Sequence, residues 1–242
     1  MALKDLLTSS SPNYCKNLLS GRNVCFRPMI VGEEKSLLLA KQTEDKKTIL
    51  KNLINVLSDC CSDENIKNIK SITIAEFENL FLLLRCKSIG ETETFLVKCP
   101  ETGEQVQIKV NLENDLKLSV NTPNNLIKLN DNLGMVMQEP TIHALFKYPN
   151  YDKDSEELFG FIGCCIKEIQ TNKETINCQD MPEQEILEFI KNLNKKQFNE
   201  IMLFLNETSK TYIIANYKTK DGILRQLKIN GIFNYFSFFL TI

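Results

Sequence analysis

The sequence lacks tryptophan, holds a single histidine and has no C-x-x-C pair among its cysteines. It also lacks the H-E-x-x-H, G-x-S-x-G, Walker and dinucleotide-binding signatures, which removes the common motifs of metalloproteases, hydrolases and nucleotide enzymes. No apolar run approaches the roughly 20 residues of a membrane-spanning helix. The first residues, M-A-L-K-D-L-L-T, do not form the long apolar stretch of a signal peptide. We therefore expect a protein made and kept in a cytoplasm, with no membrane partner.

Arginine is scarce as well, with four residues among 29 basic ones, and the net charge is −2. Nucleic-acid binders usually concentrate positive charge and use arginine forks on phosphates and guanine edges. The sequence shows neither feature, so we predict no nucleic-acid partner. What is present is ordinary for a globular protein: 43% hydrophobic and 25% charged residues over 242 positions, enough for a substantial core.

The nine cysteines are an odd number and include two adjacent pairs, Cys60–Cys61 and Cys164–Cys165. Adjacent cysteines rarely bridge each other. A cysteine without a disulfide packs as a small hydrophobic side chain, and a reducing compartment keeps it as a thiol. We therefore predict reduced thiols rather than a disulfide framework or a metal cluster.

Hydrophobic periodicity predicts helices in the first 90 residues and again between residues 154 and 205. The clearest early helix has an apolar face of Ile74, Phe77, Leu80, Phe81 and Leu84. In the later region one apolar period continues to Ile169, and Asn194 with Gln197 forms a capping box at the start of the last helix.

Each helical region is followed by two strands that a polar, glycine-containing turn joins, P-E-T-G-E in the first case and K-T-K-D-G in the second. The strands I-K-V-N-L and L-K-I-N-G are similar, which indicates a repeat. We predict an α+β fold of two related modules, divided into an extended arm (1–28), a helical module with the first hairpin (29–120), a linker region (121–150) and a helical module with the second hairpin (151–242).

The tip of the first hairpin, K-C-P-E-T-G-E, resembles half of a zinc knuckle, in which a C-P-x-C-G turn carries two thiolates. Cys99 is present, but Thr102 stands at the second thiolate position, and the second hairpin offers Tyr217 and Asp221 instead of cysteines. Cys86, 13 residues upstream of Cys99, is the other weak ligand candidate. A metal site would therefore need ligands from distant parts of the chain.

A β-turn without an ion explains the same tip. Pro100 fixes φ, and Gly103 can adopt the left-handed conformation that closes such a turn. We predict that both hairpins are degenerate, metal-free knuckles and that the protein has no cofactor.

A nucleophilic enzyme would pair a cysteine or serine with a base, and His143 is the only histidine in the chain. The segment E-P-T-I-H-A-L-F places it early in a short predicted helix. A lone histidine is more often a packing or surface residue than a general base. We predict no catalytic residue and keep a thiol enzyme that uses His143 as an alternative.

The C-terminal run G-I-F-N-Y-F-S-F-F-L-T-I is unusually aromatic. If it were a strand, alternation would place Phe236 and Phe238 on one face and Tyr235 and Phe239 on the other, so that the run is apolar on both sides. Part of it must pack within the chain, but such a run also suits docking into a partner, because aromatic side chains dominate interface energetics. Both interpretations stay open for the five rings Phe233, Tyr235, Phe236, Phe238 and Phe239.

Several segments occur in an order that resembles a known family. They are R-P-M-I-V-G-E-E-K-S-L-L-L-A, L-F-L-L-L-R-C-K-S-I-G, K-C-P-E-T-G-E, E-P-T, F-I-K-N-L-N-K-K-Q-F-N-E-I and N-G-I-F-N-Y-F. This order is similar to that of the baseplate hub and hub-assembly subunits of T-even-type contractile-tail bacteriophages, over roughly residues 25–240. The pair E-E-K-x-L-L and L-R-x-K-S-I-G is the most distinctive part of the resemblance.

The resemblance implies a structural or assembly protein without enzymatic activity, located in the tail baseplate of the virion and in the host cytoplasm during assembly. It would bind other hub and tail proteins in a hetero-oligomeric assembly. We expect the aromatic C-terminus to contact partners, with Arg27 and Pro28 of the arm as weaker candidates. A zinc-ribbon-derived adaptor that binds nucleic acid or another protein is the first alternative, and the thiol enzyme is the second.

Overall fold

The computed structural model describes residues 12–61 and 71–239, except for the side chain of Phe239. The described α-helices are α1 (Val31–Gln42), α2 (Lys46–Cys60), α3 (Ile74–Ile89), α4 (Ile142–Lys147), α5 (Ser155–Cys165), α6 (Glu183–Lys191), α7 (Lys195–Glu207) and α8 (Ile232–Phe239). The described strands are β1 (Tyr14–Asn17), β2 (Asn23–Phe26), β3 (Thr92–Lys98), β4 (Gln105–Asn111), β5 (Leu116–Ser119), β6 (Leu126–Asn130), β7 (Leu133–Met137), β8 (Ile166–Thr171), β9 (Thr175–Asn177), β10 (Lys210–Lys218) and β11 (Leu224–Asn230). Helices and small antiparallel sheets confirm the predicted α+β class.

The chain forms two compact units whose boundaries differ from the predicted segments. Of the described residues, the first unit takes 12–61, 75–119 and 210–239, and the second takes 71–74 and 120–209. Both predicted hairpins therefore belong to the first unit. The reason is strand pairing: β10 pairs with β5, in the register Lys210↔Ser119, and this ladder joins the C-terminal segment to the first half of the chain.

Both hairpins form as the period of two predicted. In the first, β3 pairs with β4 from Thr92↔Asn111 to Lys98↔Gln105. In the second, β10 pairs with β11 from Tyr212↔Asn230 to Lys218↔Leu224. The second hairpin lies in a three-stranded sheet of order β11–β10–β5.

Helices α1 to α3 supply most of the core of the first unit. Asp45 is the N-cap of helix α2, and its carboxylate accepts a hydrogen bond from the backbone N–H of Thr48 at 2.8 Å. Helix α3 carries the predicted apolar face, of which Phe77, Leu80, Phe81 and Leu84 have at most 1% exposure and Ile74, in the first turn, is half-buried. Such complete burial is typical of a helix at the centre of a unit.

The second unit contains the segment 121–150 that the sequence left as a linker. Strands β6 and β7 and helix α4 lie there, in a four-stranded sheet of order β6–β7–β8–β9. Polar residues and N-D-N-L-G obscured this pairing, because a register shift between Lys128 and Asn130, just before the turn, interrupts the alternation. The segment 121–150 therefore contributes two strands and a helix to the second unit.

Helix α5 also ends earlier than its apolar period predicts. It stops at Cys165, and Ile166 to Thr171 form β8, where Ile169 pairs with Met135 of β7. A short run of apolar residues fits a helix and a buried strand equally well. The neighbouring strand decides between them here. Helix α7, by contrast, has the predicted capping box between Asn194 and Gln197.

The C-terminal aromatic run is helix α8 and not the alternating strand considered from its sequence. Gly231 precedes it with a φ of 89°, which turns the chain out of β11. The rings therefore follow a helical period, and only one side of the helix is buried.

Two cysteines differ from the predicted thiols. Cys15 and Cys25 face each other across β1 and β2 and form a disulfide, with Cα atoms 4.0 Å apart. This pairing was not predicted, because the two residues come together only when the arm folds into a short hairpin. The other seven cysteines, all within the described residues, are thiols.

Candidate interaction site at the hairpin tips and the C-terminal helix

The tip of the first hairpin is a tight five-residue turn, one residue longer than the predicted β-turn. The backbone N–H of Gly103 donates to the carbonyl of Cys99 at 2.9 Å, and the N–H of Cys99 donates to the carbonyl of Glu104 at 2.8 Å. Gly103 has a φ of 71°, the left-handed conformation that glycine adopts most readily. The second tip closes similarly, with Gly222 at a φ of 77° and its N–H on the carbonyl of Thr219 at 2.9 Å.

The two tips lie against each other, and Arg225 joins them. Its Nη2 is 2.8 Å from Asp221 Oδ2 within the second hairpin, and its Nε is 2.9 Å from Glu101 Oε2 of the first. The backbone N–H of Lys220 also donates to Glu104 Oε2 at 3.0 Å. The Arg225 side chain is 9% exposed, so its contact with Asp221 is the better shielded one, whereas Glu101 is 70% exposed and more screened by solvent.

Cys99 is buried where the tips meet. The hydroxyl groups of Thr102 and Tyr217 hydrogen-bond its thiol, the latter at 3.4 Å, and they lower the pKa of Cys99 to about 7. The pKa of Tyr217 is raised by the same contact. These hydroxyl groups come from the two positions where the sequence lacks the expected thiolates. Sequence reasoning singled out these residues but did not predict that the two hairpins would meet.

Cys86 lies in a different cluster. Its sulfur and the carboxylates of Glu91 and Glu113 lie within 4.8 Å of one another, and both carboxylates are exposed. Lys87 forms ion pairs with both, at 3.5 Å to Glu91 and closer to Glu113. The lysine thus supplies the positive charge that the acids attract. Burial raises the pKa of Cys86, which disfavours its thiolate as a metal ligand.

His143 is exposed on α4. Among the described residues, no thiol hydrogen-bonds its imidazole, and burial raises the pKa values of the nearest cysteines in sequence, Cys164 and Cys165. The thiol–imidazole arrangement that a cysteine nucleophile needs is not formed in these residues.

The aromatic helix α8 is anchored to the first unit by its buried side. Tyr235 and Phe236 are 0% and 2% exposed. The Tyr235 hydroxyl donates to the carbonyl of Thr211 at 2.7 Å and lies 3.3 Å from that of Ile229. These two rings therefore serve the core of this unit in the described arrangement.

Two of the remaining candidates, Phe233 and Phe238, flank the buried side of α8. Phe238 is partly exposed and packs on Phe95, with ring centroids 5.0 Å apart. Phe233 is also partly exposed, with Lys46 Nζ 5.0 Å from its ring centroid. Phe239 ends the helix, and its side chain lies outside the described part of the chain.

Helix α8 begins next to a carboxyl group that sequence reasoning missed. Glu78 of α3 is 5% exposed, and burial raises the pKa of its carboxyl to about 8, although the backbone N–H of Ile232 at the start of α8 opposes this rise. The available signal was an acid inside the otherwise apolar stretch I-A-E-F-E-N-L-F.

Arg27 in the arm forms its contacts with other residues of the first unit. Its Nη2 lies 2.6 Å from Glu33 Oε1 in the first turn of α1 and 3.2 Å from the carbonyl of Asp59 at the end of α2. Pro28 is partly exposed, and next to it Ile30 and Val31 are 47% and 82% exposed. The arm therefore offers apolar surface close to a fixed guanidinium. The residues 1–11 of the predicted arm lie outside the described part.

Within the described residues, none of the helices has both the length and the apolar character needed to cross a membrane. No curated protein sequence and no solved structure matches this chain. The chain does match a family model described as T4 bacteriophage base plate protein, over residues 11–237, which span both compact units. A match over nearly the whole chain shows the family, so this protein is a member of the T4 bacteriophage base plate protein family.

Proposed function

We propose that this base plate protein works in the central hub of a T-even-type contractile tail, as a hub subunit or a hub-assembly chaperone. It acts by binding other hub and tail proteins in a hetero-oligomeric assembly, in the host cytoplasm during assembly and, as a subunit, in the virion. The family match over residues 11–237 carries the proposal. The paired motifs E-E-K-S-L-L and L-R-C-K-S-I-G support the hub assignment, because they resemble hub and hub-assembly subunits.

The proposed mechanism is burial of apolar surface, without catalysis, cofactor, nucleic acid or membrane. The rings of Phe233 and Phe238 remain partly exposed on α8, and Pro28 lies beside exposed Ile30 and Val31. Aromatic and aliphatic side chains of this kind form the energetic centres of protein interfaces. Tyr235, Phe236 and Arg27 support these surfaces from within the unit through the contacts described above.

We further propose that the two hairpins are degenerate zinc knuckles. The thiol of Cys99 is surrounded by hydroxyl groups, and Arg225 links carboxylates of the two tips. In this proposal, the hydrogen bonds to Cys99 and the ion pairs of Arg225 hold the two tips together in place of a shared metal ion. Elemental analysis of the purified protein tests this proposal, because stoichiometric zinc would contradict it and would favour the zinc-ribbon adaptor.

Quantitative mass spectrometry of purified mature particles and of hub precursors tests the proposed role. A retained subunit is recovered from both at a fixed ratio to other hub proteins. A chaperone is recovered with precursors and is missing from particles. Recovery from neither fraction, in cells that produce the protein, would contradict a role in the hub.

A further inference from the structure

The outward face of the three-stranded sheet β11–β10–β5 is basic and has no carboxylate. Strand alternation and register place its outward positions together, since residues opposite each other in an antiparallel pair share a face. No aspartate or glutamate occupies any outward position of these three strands. The outward residues are Lys117, Ser119, Lys210, Tyr212, Ile214, Asn216, Lys218, Leu224, Gln226, Lys228 and Asn230.

We call this surface the lysine face. It is unexpected in a chain with more acidic than basic residues, 31 against 29. The Nζ of Lys228 lies 4.2 Å from the centroid of the Tyr212 ring, and Lys117 Nζ donates to the carbonyl of Asn114 at 2.8 Å. Among the described residues, Lys117, Lys218 and Lys228 form no ion pair with a carboxylate. The positive charges of these three lysines are therefore available to a partner outside the unit.

The opposite charge is concentrated in the second unit. Residues 120–209 hold 14 acidic and 8 basic residues, whereas the rest of the chain holds 17 acidic and 21 basic ones. On α6, Glu185 and Glu188 are both exposed. They are three residues apart, so their carboxylates lie on the same side of the helix. The exposed Lys191 follows Glu188 at the same spacing, so this side carries two negative charges and one positive charge. One part of the chain thus carries the charge that complements the lysine face of another.

We infer that the lysine face docks onto the acidic side of α6 in a second copy of this chain. The face contains apolar side chains among its lysines, with Leu224 62% exposed and Ile214 partly exposed, and it contains no arginine, because Arg225 is turned toward the hairpin tips. The absence of arginine disfavours nucleic acid, whose binding proteins use arginine forks on phosphates and guanine edges, and complementary charges across an interface give a protein contact its specificity. The contact joins two different surfaces, so repetition builds a ring or an open chain of copies. This inference is independent of the proposed hub role.

Sedimentation velocity of the full-length purified protein tests the contact. At about 0.1 M salt the Debye length is about 10 Å, and at about 1 M salt it is about 3 Å. We expect concentration-dependent association at the lower salt and its loss at the higher salt. The triple variant Lys117→Glu, Lys218→Glu, Lys228→Glu should weaken association at least about tenfold, since like charges then face each other.

A matched control makes the same change of net charge elsewhere in the first unit. Lys16, Lys35 and Lys51 are exposed and lie outside the sheet, and their replacement by glutamate should leave association within about twofold of the wild type. Circular dichroism checks that each variant is folded. The decisive sample mixes the lysine-face variant with the variant Glu185→Lys, Glu188→Lys. Each alone should be monomeric, and together they should associate again, because the charges are exchanged.

Three results would overturn the inference. They are a wild-type protein that stays monomeric at low salt, a lysine-face variant that associates as tightly as the control, and a mixture that fails to recover association. A single-stranded oligonucleotide that binds the wild type and not the lysine-face variant, without association of copies, would assign the face to nucleic acid instead.

Discussion

At the scale of single residues, Glu78 is the group that most clearly links structure to solution behaviour. It lies in the core beneath the first turn of α8, and burial raises the pKa of its carboxyl from 4.5 to about 8. The protonated form is the one that suits an apolar site, because an ionised carboxylate there has lost its hydration. The folded protein therefore holds a proton that the unfolded chain releases above about pH 4.5.

This difference predicts that stability falls as pH rises. The contribution of Glu78 to the free energy of unfolding is fully present below its unfolded pKa of 4.5. That contribution is lost as pH rises through the folded pKa of about 8. Within that window the slope from this group approaches about 1.4 kcal/mol per pH unit. Urea unfolding between about pH 5 and about pH 8 should show the decline in the wild type, and Glu78→Gln should flatten it.

Glu207→Gln, at an exposed position on α7, is the control for the loss of one carboxyl group. A decline of equal steepness in the wild type and in Glu78→Gln would show that Glu78 does not set the pH dependence.

At the scale of elements, α8 has some aromatic rings buried in the core and others partly exposed. Ile232, Tyr235 and Phe236 form its buried side, and the Tyr235 hydroxyl ties that side to β10 and β11. Phe233 and Phe238 lie on the two flanks of the buried side and are partly exposed. A helix can do this because side chains three and four residues apart share a side, as Ile232, Tyr235 and Phe236 do, whereas a strand would have separated the rings strictly by alternation. The partner contacts proposed for the two flanks depend on this anchoring.

Removal of the Tyr235 hydroxyl measures the anchoring. Tyr235→Phe leaves the carbonyl of Thr211 without its buried donor, so the free energy of unfolding should fall by about 1–3 kcal/mol. Tyr212→Phe is the matched control on the outward face of the same sheet, where the ring contact with Lys228 is retained, and its effect should stay within about 0.5 kcal/mol. Equal effects of the two changes in urea unfolding would contradict the anchoring role.

At the scale of the whole molecule, the second unit is inserted into the first. Ser119 at the end of β5 and Lys210 at the start of β10 are direct partners in the ladder, although 90 residues separate them in the sequence. The segment Val120–Ser209 therefore leaves and re-enters the first unit at neighbouring points of one sheet. This arrangement explains why a division of the chain into two consecutive modules does not follow its compact units.

The insertion predicts that the first unit survives without the second. Replacement of Val120–Ser209 by a two-residue turn should give a folded protein with one cooperative thermal transition, because a tight turn can join paired antiparallel strands. Deletion of residues 151–242, the predicted second module, is the control. It removes β10, β11 and α8 and should leave an unfolded or insoluble product. A folded product from the control and an unfolded one from the replacement would contradict the insertion.

The sequence by itself determined the α+β class, the apolar face of α3, the capping box of α7 and the two hairpins with their glycine turns. Each of these depends on residues close together in the chain, whose periodicity and turn chemistry act locally. The order of motifs also indicated the base plate family, which the match over residues 11–237 confirms.

Tertiary structure alone decided what depends on distant partners. It converted the end of the α5 period into β8, folded the aromatic run into α8, joined Cys15 to Cys25 and brought the two hairpin tips together around Cys99. The physical reason is the same in each case. A strand edge, a buried carboxyl group or a cysteine acquires its role from the neighbour that folding places against it, and local sequence does not specify that neighbour.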